Sequence, residues 1–351
     1  MPQLIVANVA TAVPMGAQVY QEQVASRASG GLGSGWTVDR VVVRSMRSPL
    51  AGTHRLPMRF MTGASGRTRR EVGRVLYPRR AVVHRMNLEL PPAPYADVIT
   101  LHDVVAWKFD DESAPVAAAA AEARRADAVI CVSAFTASEA VGLLGIEDPY
   151  VVPNGVDARF FDAAPLAPAT LERLGINGPF VLATGGASRR KNLAGLAEAW
   201  PAIHRARPDL ALVLSGPPHS SRTTLFSGLP SVHQVGNLDA ELIPGLMASA
   251  CALVVPSHYE GFGLPALEGM AVGVPVVAAN TSSLPEVVGD AAILVEPDAA
   301  GLTEGVLFAA SSEAGVAAFV ERGSSRAAYF TWERSVAGHA EVWRAVAAAH
   351  G

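Results

Sequence analysis

Cysteine is scarce in this chain: Cys131 and Cys251 are its only two in 351 residues. Each lies inside an apolar run, AVICVS and SACALVVPS. Buried free thiols are the expectation, not a disulfide framework or a cysteine metal site. Neither sign of charge is in marked excess. Twenty-eight basic and 32 acidic residues leave a net charge of -4, so nothing in the total points to nucleic acid as a partner. Long apolar runs are missing too, and no stretch of about 18 uncharged apolar residues reads as a membrane span. The opening MPQLIVANVATAV lacks a basic flank and reads as a first strand rather than a signal peptide. The expected address is the cytoplasm. No short-period repeat is evident. What is present is ordinary globular composition, 50% apolar and 17% charged, which excludes disordered and collagen-like classes. At about 150 residues per domain, the length suggests two domains.

Short apolar runs alternate with longer amphipathic stretches. Strands are expected at 4–9, 38–43, 98–102, 128–132, 180–184, 211–215, 252–256 and 274–278. Helices are expected at 114–125, 135–144, 193–207, 240–249 and 264–272. Strand and helix in alternation argue for an α/β protein with parallel sheets covered on both faces. A Pro-, Gly- and Ala-rich stretch over 153–179 reads as a linker with a short helix. It separates a domain over 1–155 from one over 156–330. A last helix within 331–351 is long enough to pack back on the first domain.

One charge feature is local. From Arg40 to Arg85 there are twelve arginines against one acid, Glu71. A solvated face is the plain reading. A patch for an anionic lipid surface or an anionic acceptor is the functional one, at about 1 kcal/mol per basic residue near such a surface.

The densest signal is SHYEGFGLPALEGMAVGVPVV, from Ser257 to Val277. An apolar strand precedes it. The loop carries Glu260, Gly261, Phe262 and Gly263, and a helix pattern begins at Leu264 with Pro265 in its first turn, where a missing N–H is tolerated. A glycine loop running into a helix start offers free backbone N–H groups to an anion. Glu260 and Glu268 bracket that loop. Carboxylates are poor phosphate ligands and good acceptors for hydroxyls, so the pattern suits a sugar nucleotide. Glu268 alone reads equally as compensation of the helix dipole. A second loop, TGGASRRKNL over 184–193, puts Arg189, Arg190 and Lys191 at a strand's carboxyl end, where open α/β sheets bind ligands. VITLHDVV puts His102 at another. Asp110, Asp111 and Glu112 form a compact acidic run that reads as the cap of a helix from 114 rather than a metal site.

These strings resemble the retaining glycosyltransferases of family four, and their mannosyltransferase branch in particular. The mark is a glutamate, seven residues and a second glutamate, with GFG-type residues between. The resemblance extends through 126–140, 151–157, 184–193 and 280–297. It implies the GT-B fold, two Rossmann-like doubly wound domains facing across a cleft. The first domain then binds the acceptor and the second the nucleotide sugar. It implies that Glu260 approaches the donor sugar's hydroxyls, that Glu268 binds the ribose, and that amides near Phe262, Gly263 and Leu264 meet sugar and phosphates. Lys191 matches the family lysine that neutralises the diphosphate, and His102 the histidine facing the reacting sugar. Gly16 matches the glycine loop of the first lobe. The family's usual arginine falls on Gly186 here, so Arg190 or Arg189 is expected to replace it.

The implied reaction moves a hexose from a nucleoside diphosphate to an acceptor hydroxyl, with anomeric configuration kept and no divalent metal or cofactor. GDP-mannose is the leading donor, ahead of UDP- and dTDP-sugars. The partners expected are a sugar nucleotide, a glycan or lipid-linked acceptor, and an anionic membrane met from the cytoplasmic side through the arginine-rich segment. The competing readings are epimerisation or phosphorolysis on the same fold, and a non-catalytic bilobal protein that binds a sugar or sugar nucleotide.

Overall fold

The computed structural model describes residues 1–11 and 16–351. The chain divides into two compact units, one formed by Met1–Gly155 with Trp332–Gly351 and the other by Val156–Thr331.

The first unit is built on a seven-stranded parallel sheet. Its strands are β1 (Gln3–Val9), β2 (Thr37–Ser45), β3 (His54–Leu56), β4 (Val82–Arg85), β5 (Ala96–Leu101), β6 (Ala128–Cys131) and β7 (Tyr150–Val151), in the order β3-β2-β1-β4-β5-β6-β7. Every residue of β4, β5 and β6 is buried. Strands covered on both faces read as continuous apolar runs, which is why β5 and β6 stand out in the sequence. The last helix, Trp332–His350, belongs to this unit. It lies beside the helix Gly16–Leu32, and Tyr20, Val24, Ala28, Trp332, Val336, Ala340 and Trp343 share one core. The two helices meet closely at Gly31, where a Cβ would stand 2.7 Å from Val336 Cγ1.

The second unit carries β8 (Phe180–Thr184), β9 (Ala211–Ser215), β10 (Val232–Gly236), β11 (Ala252–Val255), β12 (Val276–Ala279) and β13 (Ile293–Val295), again all parallel, in the order β10-β9-β8-β11-β12-β13. Thr184 pairs with Ser215, so the turns after β8 and β9 leave the sheet at one level. The chain moves outward from β8 through β9 on one side and from β11 through β12 on the other. The carboxyl ends of β8 and β11 therefore flank the topological switch point, where open sheets leave a crevice for ligands. The fold class is the expected one, two parallel-sheet α/β domains.

Some local expectations need correction. The helix expected from 114 begins only at Ala119, with Ala118 as its N-cap. Pro115 lacks a backbone N–H and disfavours helical backbone before it, so Asp110, Asp111 and Glu112 lie in a turn and cap no helix there. The arginine-rich segment does not present all twelve arginines. Arg69 and Arg85 are fully buried and paired, with Glu122 and Asp97, each at 2.7 Å. The exposed remainder includes Arg67, Arg70 and Arg74, which share one face of the helix Gly66–Leu76 with Val75. Cys131 is buried, Cys251 half-buried, and both are free thiols. Among the described residues no helix is long and apolar enough to cross a membrane.

Candidate functional site

The two loops flanking the switch point of the second unit are stitched together by their own backbone. After β8, Gly185 takes φ +122° and the chain enters a short 3-10 turn, Arg189–Lys191. The N–H groups of His258 and Tyr259, in the loop after β11, donate to the carbonyl of Arg190 at 2.8 and 3.3 Å. Asn192 sits in the left-handed region at φ +51°. Its Oδ1 caps the helix Leu193–Ala206 by accepting from Gly195 N–H at 3.1 Å, and its Nδ2 donates to Pro256 O at 2.9 Å.

That stitching brings Lys191 onto Glu260. Nζ stands 2.7 and 2.9 Å from the two carboxylate oxygens. Ser257 Oγ donates to Oε1 at 2.7 Å, and Arg190 Nη1 approaches Oε2 at 3.5 Å and Tyr259 O at 3.3 Å. Ser282 and Ser283 hold the backbone on either side, accepting from Glu260 N–H at 3.0 Å and donating to Glu260 O at 2.9 Å. Glu260 is buried. Burial alone would raise its pKa, but Lys191 and then Arg190 outweigh that and hold the carboxyl below 4.5. An ionised carboxylate on a cation, both largely out of water, is the result.

The helix Leu264–Ala271 starts beside this pair. Its N-cap, Gly263, needs to be glycine twice over: φ is +100°, and a Cβ would stand 2.7 Å from Leu284 Cδ2. Among the described residues no acceptor meets the N–H groups of Phe262, Gly263 and Leu264, which leaves three donors at a helix start. Phe262 is buried edge-on against Phe330, with centroids 5.8 Å apart. Glu268 lies on the same helix but is not part of the Lys191 pair. Its electrostatic neighbours are Arg159 and Asp157, and burial pushes its pKa up to about 7, with Arg159 opposing the shift.

In the first unit, His102 follows β5. The ring of Tyr20 meets it edge to face, with centroids 4.6 Å apart. Tyr20 is held in turn by Thr100 Oγ1 at 2.8 Å and His339 Nε2 at 2.6 Å. Burial, then the nearby His339, lowers the His102 pKa to about 4, so the ring is neutral near pH 7. Its Nε2 is buried without a partner among the described residues. Gly16 is exposed and opens the helix Gly16–Leu32. Residues 12–15, just before it, lie outside the described residues.

The sequence pattern marks no role for Ser257, Ser282 or Ser283, although Ser257 heads the motif string. Nor does it mark Arg222, which lines the pocket between the loops together with Thr184, Gly185, Gly186, Lys191 and Ser257. Arg222 sits among serines and threonines in the helix Ser220–Leu225, where nothing in the pattern marks it. Arg190 reaches Glu260, as noted, while Arg189 is exposed. Among the described residues no three His, Cys, Asp or Glu side chains converge as a metal site would need.

Residues 178–312 match the family model for glycosyl transferases group 1, and residues 62–160 match that for glycosyltransferase family 4. The chain is 30% identical over 293 residues to O-antigen chain mannosyltransferase B of Escherichia coli, covering 75% of this chain and 76% of that protein. Among solved structures, sucrose-phosphate synthase of Thermosynechococcus elongatus superposes with a TM-score of 0.75 at 21% identity, over 99% of this chain and 100% of the other. HepE of Anabaena, solved in complex with UDP and glucose, gives 0.75 at 18% identity, over 98% and 100%. These two likenesses show the fold alone, whereas the family models and the Escherichia coli relative carry the family. The chain belongs to the family-four glycosyltransferases of the GT-B type.

Proposed function

We propose that the protein transfers a hexose, mannose in the first instance, from a nucleoside-diphosphate sugar to an acceptor hydroxyl in the assembly of a polysaccharide or glycolipid. The observation that carries the reading is the buried Lys191–Glu260 pair beside three unsatisfied amides at the switch point. One cluster offers cations and N–H groups to a diphosphate and a carboxylate to sugar hydroxyls. The naming of the Escherichia coli relative as a mannosyltransferase supports the choice of sugar and GDP-mannose as donor. The UDP and glucose held by the Anabaena protein make UDP-sugars the alternative donors.

In this reading the difficult event is departure of the diphosphate from an oxocarbenium-like sugar. Lys191, helped by Arg190 and the amides of Phe262, Gly263 and Leu264, stabilises the charge growing on the leaving group. Loss of one such donor costs roughly 10²–10³ in rate in comparable sites. Glu260, ionised and fixed by Ser257, accepts from the sugar hydroxyls. Glu268, with a pKa near neutrality, binds the ribose. His102, neutral and with a free Nε2, orients the sugar. Attack on the same face, with the departing phosphate oxygen taking the acceptor's proton, keeps the anomeric configuration and needs no divalent metal. The exposed arginines near Arg67, Arg70 and Arg74 suit an anionic, lipid-linked acceptor and the membrane surface that carries it.

The test is a panel of GDP-mannose, UDP-glucose, UDP-galactose and dTDP-glucose, with and without EDTA, read by released nucleotide and by NMR of the product's anomeric proton. Acceptor-dependent release from one donor, unaffected by EDTA and giving the donor's own configuration, is expected. Saturable binding with neither transfer nor hydrolysis would make the protein a binder. An inverted product or an EDTA-sensitive rate would overturn the mechanism.

A further inference from the structure

Three arginines are buried among the described residues: Arg69, Arg85 and Arg222. Arg69 and Arg85 each hold a carboxylate, Glu122 and Asp97. Arg222 holds none. Its Nη1 donates to Gly216 O at 3.1 Å and Pro217 O at 3.3 Å, and its Nη2 donates to Gly185 O. Its Nε–H has no partner among the described residues. A guanidinium taken out of water against neutral carbonyls alone is costly to fold, because nothing repays the lost hydration of its charge. Burial accordingly pulls its pKa below the ordinary arginine value, with no carboxylate opposing the shift.

The surroundings are arranged around that charge. Gly185 and Gly216 both sit at positive φ, +122° and +137°, so the turns after β8 and β9 aim their carbonyls at the guanidinium. A Cβ on Gly216 would stand 2.1 Å from Gly185 O and 3.2 Å from Arg222 Nη2. Lys191 borders the same residue, its Nζ 3.9 Å from where a Gly185 Cβ would be. Thr184, last in β8, contributes a second buried polar atom with no partner among the described residues, Oγ1. Arg222, Thr184 and Lys191 thus line one pocket, with an unused N–H and an unused hydroxyl among them.

We propose that Arg222 supplies the second cation, and that its Nε–H and the Thr184 hydroxyl, with Lys191, form the cradle for the donor's diphosphate. Arg222 then does from the helix after β9 what Gly186 cannot do from the loop after β8. The assignment rests on the sugar-nucleotide reading above. It differs from the expectation that Arg190 or Arg189 fills the gap.

The experiment is calorimetric titration of the intact protein with GDP, UDP and dTDP, followed by the monophosphate and the nucleoside of whichever binds best. Thr184→Val removes an unsatisfied hydroxyl and keeps the shape, so it should fold at least as well as wild type. It should lose affinity for the diphosphate by about tenfold, the value of a hydrogen bond to a charged group. Arg222→Gln keeps donors for the carbonyls and drops the charge, and should lose roughly ten- to hundredfold. Both losses should shrink on the monophosphate and vanish on the nucleoside. If both variants bind the diphosphate as tightly as wild type, or lose equally on the nucleoside, Arg222 and Thr184 are structural and the proposal falls. Should Arg222→Gln fail to fold, Thr184→Val decides alone. A wild type that binds none of the three diphosphates sinks the sugar-nucleotide reading itself. A wild type that binds one while its variants are unchanged leaves that reading standing and removes only this cradle.

Discussion

Lys191→Met probes the central ion pair most directly. In the wild type the two side chains are 15% and 8% exposed and share two short hydrogen bonds. The variant leaves the Glu260 carboxylate buried, with Ser257 and a distant Arg190 as its remaining side-chain partners. Deleting one member of a buried pair costs about 3–5 kcal/mol, because the stranded charge stays out of water. At roughly 2–4 °C per kcal/mol for a unit of this size, the melting temperature should fall by about 6–20 °C, with Arg190 drawing it toward the lower figure. Adding Glu260→Gln removes the stranded charge, so the double variant should recover most of the loss while remaining inactive. The chain's other lysine is the control. Lys108 pairs with Glu139 at a partly exposed site, where such pairs are worth about 0–1 kcal/mol. Thermal melts of the four proteins, with nucleotide release measured alongside, make the comparison. If Lys191→Met melts no lower than Lys108→Met, the pair is not the buried coupling described. If it melts lower but turns over within a few-fold of wild type, the pair is structural and Lys191 leaves the mechanism.

Glu268, raised from 4.5 to about 7, is favoured in its neutral form by the fold. Its contribution to stability is therefore present below pH 4.5 and lost as pH rises through 7. Glu268→Gln should melt higher than wild type at pH 8 and equally at pH 4, yet bind nucleotide more weakly; an unchanged melting difference between the two pH values refutes this. Glu260 carries the opposite sign, its contribution present above pH 4.5 and lost as pH falls through its lower native value. His102, lowered to about 4, should give no inflection to the rate profile above pH 5, while His102→Ala lowers kcat; an inflection near 6.5 that disappears in the variant contradicts a neutral role. Replacing Arg67, Arg70 and Arg74 by Gln should weaken sedimentation with phosphatidylglycerol vesicles, each arginine being worth about 1 kcal/mol near such a surface. Equal partition of the variant and wild type removes that face as a docking surface.

The sequence reads well where burial alone shapes it. β5, β8, β9 and β11 are short apolar runs, and their alternation with helices suffices for two parallel sheets. It reads poorly where polar residues are buried with partners from elsewhere. β4 is VVHR and fully buried, because His84 meets Thr100 at 2.7 Å and Arg85 meets Asp97 at 2.7 Å. Local pattern treats that histidine and arginine as surface. β10, VHQVG, is half-buried and polar, and β3 and β13 are only three residues each. β3, β4 and β10 lack the apolar run that marks the others, and β13, ILV, has one only three residues long.

The glycine loops, the helix start at Leu264 and the eight-residue step from Glu260 to Glu268 follow from the order of residues, because turn and cap chemistry is local. Which loop meets which does not. Lys191 and Glu260 are 69 positions apart, and only the adjacency of β8 and β11 brings them to 2.7 Å. The same adjacency separates the fates of two glutamates that look alike in the string: Glu260 ionises on its cations, and Glu268 rises toward neutrality away from them. Arg222 is the extreme case, its burial and its lack of a carboxylate both set by turns after two neighbouring strands. Periodicity encodes how much water a residue sees, whereas the charge beside it is decided by the sheet order.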